Sequence, residues 1–378
     1  MKPASSGSQV AVRRAASITG LLFVLLLVAF TASNYSSLNT DRLVDAASSS
    51  RAKAAAACDV ASGEWMPDQA APYYTNATCP FIDSRQDCMR YGKPELGSIL
   101  RWRWRPHGCD LPRFDPAAFL RLARHRSMAF VGDSLARNHM QSLMCLLSGA
   151  ERPQEIQPRD CVHCTRSYHY RAHNFTVTVF WAPFLVRWDL TRAGALQFMD
   201  PHNVYLDEAD PEWARRVVGY DYVVLNGANG DPGAARVPPH RAVRAAFRTA
   251  LRALRDLPGF RGRVVVRTVA PPHYENGKWY DGGNCLRTRP VRSDETEAAF
   301  HAAQVEEFRA AAAASAADPG RFVLMDVSDM MQMRGDGHPG QYGHWPHEKV
   351  GFGIDCVHWC LPGPIDAWSE LLLHLLTN

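Results

Sequence analysis

The sequence predicts an α/β fold in three layers: a mostly parallel sheet with helices on both faces. It follows a disulfide-rich N-terminal lobe and an N-terminal transmembrane helix. Three observations predict this. From Phe114 onward, short apolar runs alternate with longer stretches of helical spacing, and such alternation makes parallel pairing through crossover connections. The polar signatures fall directly after the apolar runs, where the carboxyl ends of parallel strands hold ligands. Cys58, Cys79, Cys88 and Cys109 crowd a loop-rich stretch with little helical periodicity, which bridges rather than a core of its own would hold.

Composition narrows the function classes. The 378 residues are 46% hydrophobic and 21% charged, which excludes global disorder and collagen-like repeats. They suffice for one large domain or two small ones. Lys and Arg number 42 against 38 Asp and Glu, a net charge of +4. A dedicated nucleic-acid binder shows a strongly basic face, so no nucleic-acid partner is expected. Ten cysteines read as disulfides in an oxidising compartment, or as metal or redox chemistry in the cytosol.

The N-terminus chooses between those readings. Residues 15–32 are uncharged and mostly apolar, with Gly20-Leu21-Leu22-Phe23-Val24 near their centre. Eighteen residues at about 1.5 Å each span roughly 27 Å, enough for a thin bilayer. Lys2, Arg13 and Arg14 precede the run, and positive charge keeps residues 1–14 cytoplasmic. A cleaved signal peptide is the alternative; its apolar region is usually shorter, and no crisp A-x-A site follows. The expectation is a type II signal anchor with a lumenal body. Residues 33–57, rich in Ser and Ala, read as a flexible stem. Asn34, Asn76 and Asn174 each begin an N-x-S/T sequon, an acceptor only in the lumen.

The lobe at residues 58–112 contains Arg101-Trp102-Arg103-Trp104-Arg105, whose strict alternation is a strand period with Trp on one face. It fits a half-buried strand under a basic rim, or an aromatic and basic platform for a sugar or anionic donor. In residues 113–378 the strand runs are Met128–Val131, Phe175–Trp181, Tyr222–Leu225, Val264–Val269 and Phe322–Met325. Helical spacing covers Leu135–Leu147, His240–Leu257 and Ser293–Ala317.

Three signatures carry chemistry. In Val131-Gly132-Asp133-Ser134-Leu135 a serine sits where a buried run turns into a helix. Helix N-terminal N–H groups and the dipole favour negative charge there, so an oxyanion beside the hydroxyl is stabilised; a serine that only caps the helix has the same position. Asp355-Cys356-Val357-His358-Trp359-Cys360 supplies a base and its orienting carboxylate on one turn, though a structural histidine in a cysteine-pinned loop reads alike. Asn226-Gly227-Ala228-Asn229 follows a strand; its glycine permits close approach and an amide, taken as Asn229, can donate to an oxyanion, while Asn-Gly also makes a plain turn. His139 and His338 compete for the base role. His139 lies one turn past Ser134 and suits packing; His338 follows the last strand. Cys161 and Cys164 can pair locally or, with His169 and His173, imitate a zinc set whose spacer is too short for a finger; no metal is expected.

Serine, then Asn-Gly, then Asp-x-x-His is the chain order of SGNH (GDSL-like) hydrolases. Further words are Cys58-Asp59, Gly63-x-Trp65, Cys79-Pro80, Cys88, Trp102-Arg103-Trp104, Cys109-x-Leu111-Pro112 and Gly132-Asp133-Ser134-Leu135-x-Arg137-Asn138. Then come Arg267-Thr268, His273-x-Glu275-Asn276-Gly277-x-Trp279, Gly282-Gly283-x-Cys285 and Asp355-Cys356-x-His358-Trp359-Cys360-Leu361-Pro362-Gly363. With these words the chain, from Cys58 to its end, resembles the trichome birefringence-like family of plant cell-wall polysaccharide O-acetyltransferases. The resemblance implies an SGNH-like fold with Ser134 as nucleophile, His358 as base and Asp355 as orienter. Gly132, Asn229, Arg137 and Asn138 become candidates for oxyanion or substrate contact. It implies the bridges Cys58–Cys109, Cys79–Cys145, Cys88–Cys360 and Cys285–Cys356. It further implies a Golgi enzyme that acetylates a hemicellulose (xylan, xyloglucan or mannan), with no bound cofactor. The donor would be acetyl-CoA, or would come from a donor-supplying Golgi membrane protein. Where many members carry His-Trp after the middle strand, this chain has Ala228-Asn229-Gly230-Asp231. Pro364-Ile365-Asp366-x-Trp368 looks most like the xyloglucan and mannan branch. An acetyl-esterase with the same triad is the other enzymatic reading, and a wall-polysaccharide binding protein with a dead site the non-enzymatic one.

Overall fold

The computed structural model of the chain describes residues 58–156, 164–191, 202–227, 237–277, 281–286, 295–348 and 353–377. The expected anchor at residues 15–32, the stem, Asn34, Cys161 and Asn229 lie outside them. Among the described residues no helix is long and apolar enough to cross a membrane.

In the N-terminal lobe, β1 (Gly63–Pro67) and β2 (Trp102–Pro106) pair antiparallel, with Trp65 opposite Trp104. Helix α1 (Leu96–Ile99) precedes β2. The expected alternation holds, but the two tryptophans of β2 differ: Trp104 is buried and Trp102 is exposed at the rim. The lobe is tied to the rest by the Trp65 indole, which donates to the Met330 carbonyl at 2.8 Å.

Beyond the lobe the strands are β3 (Ser127–Gly132), β4 (Gln154–Ile156), β5 (Arg166–Tyr170), β6 (Phe175–Trp181), β7 (Val186–Leu190), β8 (His202–Ala209), β9 (Tyr222–Leu225), β10 (Arg263–Arg267) and β11 (Phe322–Met325). Seven of them form one sheet in the order β11-β10-β9-β3-β6-β5-β4. From β11 to β6 every pairing is parallel. The sheet is mixed, because β5 and β4 add on antiparallel. This edge was not expected from the sequence: Ser167–Tyr170 alternates polar residues with tyrosines, a pattern that suits a half-buried antiparallel strand. A separate hairpin, β7 with β8, was not expected either.

The helices are α2 (Pro116–Leu122), α3 (Ser134–Leu147), α4 (Pro211–Ala214), α5 (Pro239–Asp256), α6 (Glu295–Ala314), α7 (Ser328–Gln332) and α8 (Asp366–Thr377). Their apolar stripes cover the sheet from both sides. Ala129 and Val131 of β3 share a core with Val243, Phe247, Leu251 and Leu254 of α5 and Ala311 of α6. Phe130, pointing the other way by the period of two, meets His139 of α3, and α3 packs against α8. Strands buried on both faces explain why the parallel runs are continuously apolar.

Three of the implied bridges are present as expected, Cys79–Cys145, Cys88–Cys360 and Cys285–Cys356. Cys58, Cys109 and Cys164 are disulfide-bonded too. Cys88–Cys360 closes 272 residues, a loop long enough for the cross-link to restrict the unfolded chain strongly.

A buried carboxyl joins the lobe, α3 and α8. Asp366 accepts from the Tyr74 hydroxyl at 2.7 Å, the Ser142 hydroxyl at 2.5 Å and the Gly363 N–H at 3.0 Å. Burial outweighs these donors and pushes Asp366 up to about 7. A raised carboxyl contributes stability that is whole below the unfolded value near about 4 and is lost as pH rises through about 7. Thermal melts taken between these limits are therefore expected to fall with pH. Asp366→Asn, which cannot ionise, should flatten that slope, and parallel curves for the two proteins would refute the assignment.

Candidate active site

The end of β3 delivers a serine without using it. Gly132 packs so closely on the next strand that a Cβ there would lie 2.1 Å from the Asn226 carbonyl oxygen. Asp133 then caps α3: its Oδ1 accepts the Leu135 N–H at 2.9 Å and the Asn226 amide at 3.0 Å. Capping is thus done by Asp133, and Ser134 is the first helical residue. Among the described residues its hydroxyl has no hydrogen-bond partner. It stands at the positive end of a helix of 14 residues.

The Asp-x-x-His pair forms as expected. Asp355 Oδ2 lies 2.7 Å from His358 Nδ1. Its Oδ1 accepts the backbone N–H groups of Val357 at 3.0 Å and His358 at 2.9 Å. Burial pushes the Asp355 carboxyl up, but the His358 charge and these hydrogen bonds outweigh it and hold the group well below the usual carboxylate range. With Nδ1 donating to Asp355, neutral His358 keeps a lone pair on Nε2. That Nε2 is buried and unpartnered among the described residues.

The loop is held on every side. Gly340 and Asp355 exchange backbone hydrogen bonds of 2.8 and 2.9 Å, and His273 N–H donates to the Cys356 carbonyl at 3.0 Å. The bridges through Cys356 and Cys360 close it. Asn138 joins the loop to α3: its Oδ1 accepts the Trp359 N–H at 2.8 Å and its Nδ2 donates to the Trp359 carbonyl at 3.3 Å. Asn138 lies one turn beyond Ser134 on the same helix face, about 6 Å along the axis. The residue after His358 is thereby fixed to the helix that Ser134 begins. No hydrogen bond yet links Ser134 Oγ to His358 Nε2, a contact that tightens with substrate in many such sites.

A free serine at a strand–helix turn, with a carboxylate-oriented imidazole clamped to the same helix, has the parts that acyl transfer requires. A model of the PC-Esterase family, the GDSL/SGNH-like acyl-esterases found in Pmr5 and Cas1p, matches residues 111–230 and 228–375. The chain belongs to this family. The PMR5 N-terminal domain matches residues 56–110 of the same PC-Esterase chain. Among its relatives, trichome birefringence-like 20 of Arabidopsis thaliana is 43% identical over 85% of this chain and 72% of its own length. Xyloglucan O-acetyltransferase 3 of Populus trichocarpa is 36% identical over 84% of this chain and 85% of its own. Xyloglucan O-acetyltransferase 2 of Arabidopsis thaliana is 34% identical over 84% and 82%.

The remaining candidates of this PC-Esterase site divide. Asn138 has both ends of its amide bound to Trp359 and is 0% exposed, a geometry that positions the Asp-x-x-His loop. Gly132 is buried under Asn226 and serves close packing. Arg137 is buried with its guanidinium over the Trp181 ring at 5.7 Å. Asn229 lies outside the described residues. Of the two asparagines in Asn226-Gly227-Ala228-Asn229, the one described is Asn226, 2% exposed and bound to Asp133, where the sequence assigned the amide to Asn229. Arg267 was quoted only as a family word. It is fully buried over the Trp368 ring at 4.3 Å, and burial lowers it to about 10 although Asp133 opposes the shift. His139 packs between Phe130 and Trp368, as expected. His169 and His173 hydrogen-bond Thr176 and Glu151. Asn76 and Asn174 are exposed, Asn174 at the turn between β5 and β6.

Proposed function

We propose that this chain transfers acetyl groups to hydroxyls of a hemicellulose, with xyloglucan the first candidate, through an acetyl-serine on Ser134. The observation that carries the reading is the Asp355–His358 contact of 2.7 Å with Nε2 left unpartnered among the described residues. The xyloglucan O-acetyltransferases among its relatives support the substrate class. His358 Nε2 takes the Ser134 proton as Oγ attacks the acetyl carbonyl of the donor. The Leu135 N–H is already held by Asp133, which leaves the Ser134 amide at the helix start to meet the oxyanion. With acetyl-CoA as donor, collapse breaks the thioester, and the thiolate leaves with the proton held by His358. A sugar hydroxyl then gives its proton to His358 and attacks the acetyl-serine, and Ser134 leaves and is reprotonated. The helix dipole favours negative charge beside Ser134. Residues 15–32 anchor the protein as a single-pass type II Golgi membrane protein, its body lumenal and its acetyl donor acetyl-CoA or one supplied by a Golgi membrane protein.

The test incubates the full chain with acetyl-CoA and unacetylated xyloglucan, xylan or mannan oligosaccharides, read by mass spectrometry. A gain of one acetyl mass on xyloglucan is expected. Acetyl loss from pre-acetylated oligosaccharides, with no gain on any acceptor, would make the chain an esterase instead.

A further inference from the structure

Behind His358 runs a line of hydrogen bonds that acyl transfer itself does not use. His338 Nδ1 lies 2.6 Å from the His358 carbonyl oxygen. Its Nε2 lies 2.7 Å from His273 Nδ1. His273 Nε2 in turn lies 3.1 Å from the Gln332 carbonyl oxygen. Both rings are buried. The order is carbonyl, imidazole, imidazole, carbonyl, and a carbonyl oxygen only accepts. To keep both outer hydrogen bonds, each ring must turn an N–H outward. Two neutral imidazoles have two N–H groups in all, so the nitrogens between them would face each other with bare lone pairs at 2.7 Å. One more proton on that line replaces the repulsion with a charge-assisted hydrogen bond. Three protons on two rings amount to one positive charge.

We propose that His273 and His338 form an imidazole–imidazolium pair sharing one proton, and that this pair positions His358 through its carbonyl. The proposal rests on His358 acting as the base. The Trp359 ring stacks on His338 at 4.1 Å and favours the cation, as does the Asp355 carboxylate. Burial outweighs both and pushes the His338 ring well below its ordinary value, and the His273 charge and Lys93 of the N-terminal lobe, whose ammonium donates to the His338 carbonyl, add to it; one charge shared by the two rings, not one on each, fits that direction. Lys93 is itself pushed down to about 8 by burial, with Asp336 opposing. Arg334, on the turn before His338, is paired with Asp336. The pair holds its proton at lower pH and loses it as pH rises. With two protons left, either the inner nitrogens repel or one outer carbonyl goes without a donor; both push His338 off the His358 carbonyl or off His273, so the His358 main chain loosens, and kcat falls on the alkaline side while KM stays.

The test combines nitrogen NMR of the full chain carrying isotope-labelled histidine with rate profiles from about pH 5 to about pH 9. Three ring N–H protons are expected on the pair at the acid end and two after the alkaline fall. His338→Phe keeps the stack on Trp359 but no donor, and should lower kcat about tenfold. In His338→Asn the amide reaches the His358 carbonyl but not His273, so it should recover most of that loss and abolish the alkaline fall. Lys93→Met removes a repelling charge and should move the fall to higher pH. Two N–H protons at every pH, an alkaline fall kept by His338→Asn, or one erased by Lys93→Met would each overturn the proposal. The proton count needs no turnover, so it decides the pair even if Ser134 proves dispensable.

Discussion

Ser134→Ala is expected to lower acetyl transfer by about 10³-fold or more while leaving thermal stability nearly unchanged. The two halves of this expectation have one structural cause. The N-terminal cap of α3 is supplied by Asp133, which holds the Leu135 N–H and the Asn226 amide. The Ser134 hydroxyl holds nothing among the described residues, and a surface-type change without broken contacts costs within about 0.5 kcal/mol. A serine kept for the fold would be expected at the cap itself, where replacement by Ala costs about 1 kcal/mol. Intact-mass measurement separates the chemistry from the fold. Wild-type chain given donor and no acceptor should gain one acetyl group, and the variant none. A Ser134→Ala protein that still transfers acetyl at the wild-type rate would end the acyl-enzyme reading.

The parts of the fold that could be read from the sequence are those where burial imposes a continuous apolar run. Tyr222–Leu225 and Phe322–Met325 were expected residue for residue: the first is buried throughout and the second is buried at its ends and half-buried between, and such strands admit few polar side chains. The hairpin of β7 and β8 and the edge strands β4 and β5 escaped for the converse reason: one face meets water, and short alternating segments resemble loops. At the site, Ser134 and His358 stood out because polar residues follow apolar runs or sit between cysteines. The amides were less legible. Asn138 and Asn226 differ from any other Asn only by their partners, Trp359 and Asp133, which lie 221 and 93 residues away. The same holds for His273 and His338, 65 residues apart and joined only by the fold. The bridge pattern came from the family words and not from spacing, since spacing alone leaves connectivity open.

Asp355→Asn should be nearly as damaging as loss of the serine, about 10³- to 10⁴-fold in kcat, with the loop still in place. The hydrogen bonds around Asp355 dictate how the new amide must sit. Oδ1 accepts two backbone N–H groups, from Val357 and His358. An NH₂ group cannot accept them, so the asparagine oxygen must take that position. Its NH₂ then faces His358 Nδ1, where Oδ2 stood at 2.7 Å. Two donors cannot share that line, so Nδ1 must become the acceptor and the proton moves to Nε2. The nitrogen required to take the Ser134 proton is then already protonated, in a chain that keeps both backbone contacts of residue 355. Lowering pH does not imitate this variant. Asp355 is held well below the usual carboxylate range, so its support is present above the unfolded value near about 4 and is lost only as pH falls through the much lower folded one. Nitrogen NMR of His358 distinguishes the tautomers directly: N–H on Nδ1 in the wild type, on Nε2 in the variant. An Asp355→Asn chain with wild-type kcat, or with the Nδ1–H tautomer retained, would remove Asp355 from the mechanism.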